Sequence, residues 1–122
     1  MPPPLQDIRA LIVEDDPIIG LDLTHTLEEA GALVLGPAYD VPGALALLEA
    51  SEIDVVVLDN LIIGGDSSRI ADALAQRRVA FLFHTSHRGE LGTRYPTVQI
   101  IDKPSRPGEL VRAVQALLGK RD

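Results

Sequence analysis

Five short apolar runs, at residues 10–13, 32–35, 54–58, 80–83 and 98–101, alternate along this chain with segments whose apolar residues recur at helical spacing. Ile19, Leu23 and Leu27 fall on one helix face, with Gly31 as the stop signal. Val41, Ala44, Leu45 and Leu48 form a second stripe. After the third run, Gly64 and Gly65 break the chain, and Asp66, Ser67 or Ser68 can cap a helix carrying Ile70 and Leu74. Residues 86–96 hold two glycines, a proline and only scattered apolar side chains, so the fourth helix should be short or absent. Leu110, Val111, Val114, Leu117 and Leu118 make a last stripe, stopped by Gly119. Near-continuous apolar strands alternating with amphipathic helices require a parallel sheet covered on both faces. Five units are too few to close the usual eight-stranded barrel, and right-handed crossovers put helices on both sides of an open sheet. The expected fold is therefore α/β, a doubly wound five-stranded parallel sheet.

A chain of 122 residues supports one core and leaves no room for a separate effector domain. Met1-Pro2-Pro3-Pro4 reads as the start of a disordered lead over 1–7, followed by the domain at 8–119 and a short tail at 120–122. The opening Met1 and that short tail lead us to expect a free-standing protein. A net charge of −7 disfavours binding to nucleic acid or anionic membrane. No uninterrupted apolar run exceeds five residues, which excludes a membrane-spanning helix and a signal-peptide core. A cytoplasmic location is expected. The absence of cysteine rules out disulfides and thiolate metal sites.

In open α/β sheets, function collects at the carboxyl ends of the strands. Those ends carry Glu14, Asp15 and Asp16, then Asp59, then Thr85 and Ser86, and finally Lys103 and Pro104. Adjacent carboxylates repel unless a cation is shared, and an oxygen-only donor set selects a hard ion such as Mg²⁺. That ion and Lys103 could neutralise a phosphoryl group, with a hydrogen bond from Thr85, which makes Asp59 the natural nucleophile. Asp16 before Pro17 is assigned to helix capping ahead of the metal. Among the histidines, His25 on the first helix would suit a phosphotransfer module, which five strand signals oppose. His84 and His87 flank Thr85 without a third nitrogen ligand for zinc. We expect His84 to be buried or at the rim and His87 to border the pocket.

Four stretches, Ile12-Val13-Glu14-Asp15-Asp16-Pro17, Val57-Leu58-Asp59, Phe83-His84-Thr85-Ser86 and Asp102-Lys103-Pro104, together resemble the signature of response-regulator receiver domains. The likeness runs from about Ile8 to Gly119, and the stretch 81–87 is similar to the FATGUY subgroup of single-domain receivers. It implies a flavodoxin-like strand order 2-1-3-4-5. It further implies that Asp59 is the phosphoacceptor for a histidine kinase or histidine phosphotransfer protein, and that Mg²⁺ is held by Glu14, Asp15, Asp59 and the Leu61 backbone carbonyl. Thr85 takes the place of the switch hydroxyl and Lys103 that of the phosphoryl-contacting lysine, with a cis peptide before Pro104. Two positions depart from the family pattern. Ile100 stands where a switch aromatic is common, and Ser105 where phenylalanine often follows Lys-Pro. Leu61 and His87 occupy positions that tune phosphoryl lifetime in the family.

The expected role is a Mg²⁺-dependent, phosphorylation-operated switch that acts on a downstream protein and is not a conventional enzyme. The alternative, motivated by Ile100 and Ser105, is a receiver-fold interaction module without regulated phosphorylation. A phosphoesterase with an aspartyl nucleophile would need a substrate pocket or lid that the sequence does not suggest.

Overall fold

A computed structural model describes residues 2–62 and 65–119, leaving Met1, Ile63, Gly64 and the expected tail at 120–122 outside the described residues. Strands β1 (Arg9–Val13), β2 (Leu33–Ala38), β3 (Val55–Leu58), β6 (Ala80–Thr85) and β7 (Ile100–Asp102) form one parallel sheet in the order β2-β1-β3-β6-β7. Counting only these five, the order is the expected 2-1-3-4-5. Helices α1 (Pro17–Glu29), α2 (Val41–Ala50), α3 (Ser68–Arg77), α4 (Leu91–Arg94) and α5 (Pro107–Leu118) complete the unit, and α4 is one turn long, as the glycine-rich segment suggested.

The unbroken apolar runs follow from burial on both sides. In the register Ala10↔Val55, Leu11↔Val56, Ile12↔Val57, Val13↔Leu58, alternate residues point to opposite faces. Ala10, Ile12, Val55, Val57 and Leu82 pack with Leu23 and Leu27 of α1 and Leu110 and Val114 of α5. Leu11, Val13, Val56, Leu58 and Phe83 pack with Val41, Ala44 and Leu48 of α2, Ile70 and Leu74 of α3, and Leu91 of α4. Gly31, with φ +102°, ends α1 in the left-handed region that glycine enters without strain.

Several boundaries differ from the sequence expectation. Residues 2–7 are not a disordered lead. Leu5 is fully buried in the α1–α5 core, its amide donates to Ala30 O at 2.8 Å, and Asp7 N donates to Gly31 O at 3.3 Å. A single large apolar side chain among the prolines is enough to tie the segment down. Strand β2 runs on through Gly36 and Pro37 to Ala38, because Gly36 at φ +89° lets the backbone pass close to Ile12 O. It forms one rim of the sheet, where the missing N–H of Pro37 breaks no inner ladder. The opposite rim, β7, has three residues and starts later than expected, while β6 extends to include Thr85. A two-stranded antiparallel hairpin, β4 (Leu61–Ile62) with β5 (Gly65–Asp66), follows β3 where only a chain break was anticipated.

Candidate functional site

The polar residues at the strand ends are held by one further ladder bond each. Glu14 N donates to Ala38 O (2.9 Å), Asp59 N to Val13 O (3.0 Å) and Lys103 N to Thr85 O (3.0 Å). Each side chain therefore inherits the rigidity of the strand before it. Glu14, Asp15 and Asp59 converge, with a carboxylate oxygen from each lying within 4.8 Å of the others. Glu14 is 1% and Asp59 7% exposed, far beyond what isolated carboxylates tolerate.

Lys103 compensates. Its Nζ stands 2.5 Å from Glu14 Oε1 and 2.9 Å from Asp59 Oδ2, and its side chain is itself largely buried. Burial pushes the Glu14 carboxyl above the ordinary glutamate value, against the opposing pull of Lys103. Burial of the Lys103 ammonium acts to lower its pKa, but the contacts with Glu14 and Asp59 outweigh it and hold the group above the ordinary lysine value. One cation faces three carboxylates, and Glu14 Oε1 accepts no hydrogen bond beyond its ion-pair contact. A clustered, all-oxygen donor set with an under-satisfied buried oxygen fits a hard divalent ion such as Mg²⁺.

The remaining candidates separate by position. Asp16 caps α1, its Oδ1 accepting from Ile18 N (2.9 Å) and Ile19 N (3.3 Å), while its own amide donates to Glu14 Oε2 (3.1 Å). It is not one of the clustered carboxylates, in keeping with capping as its first role. Leu61 sits in the hairpin beside Asp59, with its amide 3.4 Å from Asp59 Oδ1 and its side chain exposed. Thr85 is fully buried, and its hydroxyl accepts from His87 N at 3.0 Å. The His87 side chain is exposed, and Asn60 Nδ2 donates to its carbonyl at 3.1 Å. Ile100 packs against the α2–α3–α4 side of the core. The Lys103–Pro104 peptide is cis.

Three residues escaped the sequence reading. Ser67, considered there as a helix cap, makes no side-chain cap bond. It is buried, and its hydroxyl donates to the carbonyl of Asp59 instead. The Asp66 side chain, the other capping candidate, lies outside the described residues. Asn60 adjoins Asp59 and reaches the loop after β6, a role that adjacency alone could have flagged. Arg88 grips Asp102 with Nε and one terminal nitrogen (3.1 and 3.0 Å), which pulls the Asp102 carboxyl below and the guanidinium above their usual ranges. Among the described residues no helix is long and apolar enough to cross a membrane.

The response regulator receiver domain family matches residues 10–115 of the chain. The transcriptional regulatory protein PdtaR of Mycobacterium tuberculosis is 35% identical over 72 residues, covering 59% of this chain and 35% of that protein. Among the curated relatives it matches, the chain spans from about a third to half of their length. Two solved structures are similar over nearly all of it. SdrG from Sphingomonas melonis Fr1 has 34% identity and a TM-score of 0.81, covering 92% of this chain and 97% of its own. A receiver protein from Sinorhizobium medicae WSM419 has 26% identity and a TM-score of 0.86, covering 97% and 99%.

Proposed function

The chain belongs to the response regulator receiver domain family, and on that premise we propose that it accepts a phosphoryl group on Asp59 and works as a switch for protein binding. The observation that carries this reading is the buried contact of Lys103 Nζ with both Asp59 and Glu14, beside a third carboxylate. Glu14, Asp15 and Asp59, with the Leu61 carbonyl, would hold Mg²⁺. When bound, that ion supplies positive charge against the oxygens of the transferring group.

Asp59 attacks the phosphorus of a phosphohistidine on a histidine kinase or phosphotransfer protein. The phosphorus–nitrogen bond breaks, its electron pair returning to the imidazole, as the bond to the Asp59 oxygen forms. Lys103 already lies at Asp59 Oδ2, where it would pair with a phosphoryl oxygen. The Thr85 hydroxyl accepts from His87 N and keeps its own proton for donation to the same group. The acyl phosphate adds charge and acceptor oxygens at this one edge, favouring the conformation in which Thr85 and Lys103 both engage it. A downstream protein, in the cytoplasm, reads that difference. The domain serves as phosphoacceptor and carries no separate substrate.

The test is incubation with Mg²⁺ and a small acyl phosphate, followed by intact-mass measurement. Wild type should gain one phosphoryl group and Asp59→Asn none. No wild-type adduct, or an equal adduct in the variant, would overturn the reading and leave a constitutive interaction module in its place.

A further inference from the structure

His84 is the penultimate residue of β6, directly before Thr85, and is 3% exposed. Its strand neighbours on the same face, Ala80 and Leu82, belong to the apolar core against α1 and α5, so an imidazole here breaks the pattern. Its Nε2 lies 2.9 Å from the hydroxyl of Ser105, two residues after Lys103. Its Nδ1 is buried and has no hydrogen-bond partner. An unpaired buried ring nitrogen destabilises the fold relative to an apolar side chain of similar size. A buried N–H without a partner is rarer in proteins than an under-satisfied acceptor. The proton therefore belongs on Nε2, and Ser105 Oγ accepts it. Burial also holds the imidazole below its ordinary pKa, with the Lys103 charge acting in the same direction.

The loop that Ser105 anchors is not fully packed from the other side. A pocket of about 110 Å³ separates it from α1, lined by Ile19, Asp22 and Leu23 together with His84 and residues 103–105. With open space on one flank, the loop is fixed by its polar bonds. Besides the contacts of the Lys103 ammonium itself, the bonds from Lys103 N to Thr85 O and between His84 and Ser105 tie it to consecutive residues of β6.

We propose that His84 is a positioning residue: through Ser105 it fixes the loop that carries Lys103, so that the ammonium stands against Asp59 and Glu14. The proposal rests on the reading of Lys103 as a phosphoryl-contacting group, and it gives His84 and Ser105 a joint role as a polar anchor.

The test uses the full chain with Mg²⁺ and a small acyl phosphate, varying each concentration, for wild type, Ser105→Ala, Ser105→Thr and His84→Gln. Ser105→Ala should lower the maximal rate of phosphoryl uptake about tenfold, the size of effect that follows from losing one hydrogen bond. The half-saturating Mg²⁺ concentration should barely move, while the thermal midpoint falls by the cost of one buried hydrogen bond. Ser105→Thr, which keeps the hydroxyl, should recover the rate, and His84→Gln, which keeps a donor, should recover part of it. Nitrogen NMR should find the His84 proton on Nε2, and the Lys103 side-chain resonances should shift in Ser105→Ala but not in Ser105→Thr. An unchanged rate in Ser105→Ala, or a loss that threonine does not rescue, would overturn the proposal. A wild-type chain that takes up no phosphoryl group would instead sink the functional reading, and the Lys103 resonances would still decide the anchoring.

Discussion

Two loops leave the sheet beside Asp59, and they are held in opposite ways. The loop after β7, at 103–106, is fixed by buried partners: Lys103 reaches Glu14 and Asp59, and Ser105 reaches His84. The loop after β6, at 86–90, is exposed at every residue, and its ties are a backbone amide on Thr85, the Asn60 amide on His87 O, and Arg88 on Asp102. Water competes with the second set and cannot reach most of the first. Breaking an exposed bond exchanges it for solvation, whereas breaking a buried one leaves a charge or dipole stranded. The loop after β7 is therefore the fixed wall of the site, and the loop after β6, leading into a helix of one turn, is where the fold can rearrange at little cost.

Lys103→Met attacks the fixed wall directly. It leaves two buried carboxylates without their cation and should lower stability by about 3 kcal/mol at neutral pH, measured by denaturant unfolding. A loss no greater than that of an Arg88 variant would erase the contrast between the loops. The same group gives a pH signature. Because the folded-state pKa of Lys103 is raised, its contribution is complete below the unfolded value of 10.5 and fades as pH rises through the folded one.

Thr85→Val tests the other loop at nearly constant volume. Without the hydroxyl, the His87 amide should exchange with solvent about tenfold faster, the effect of one lost hydrogen bond, while amides of β1 and β3 keep their protection. Comparable acceleration in the central strands would mean that the loop is not a separate unit. A smaller effect comes from His84. Its folded-state pKa is lowered, so as pH falls below 6.5 the unfolded chain takes up a proton that the folded chain refuses, and stability declines. His84→Gln should flatten that slope, read as the unfolding midpoint against pH. Least of all, Arg88→Ala should leave the midpoint unchanged, since both partners of that ion pair are in water, and should alter only the exchange of loop amides.

The parallel sheet was legible because both faces are buried, which writes each strand as a continuous apolar run such as Val55-Val56-Val57-Leu58, whereas its strand order followed from the family resemblance alone. The clustered Glu14, Asp15 and Asp59, and Lys103 beside them, were legible because each polar group ends such a run. The missed features are pairings between distant or irregular segments. Nothing in a local pattern links His84 to a serine 21 residues later, or turns Ser67 from a helix cap into a donor to Asp59. Leu5 was lost for a similar reason, since one apolar residue among prolines carries no periodicity although the fold buries it completely.

The two rims of the sheet bear on how a partner could meet this domain. β2 carries a proline and a glycine in its second half, and β7 offers three residues of backbone, so neither is a good template for an added strand from a visiting chain. Recognition by backbone pairing is accordingly disfavoured on both flanks. A partner is left with the outer surfaces of the helices and the loops around Asp59, and its selectivity must come from side chains that meet side chains.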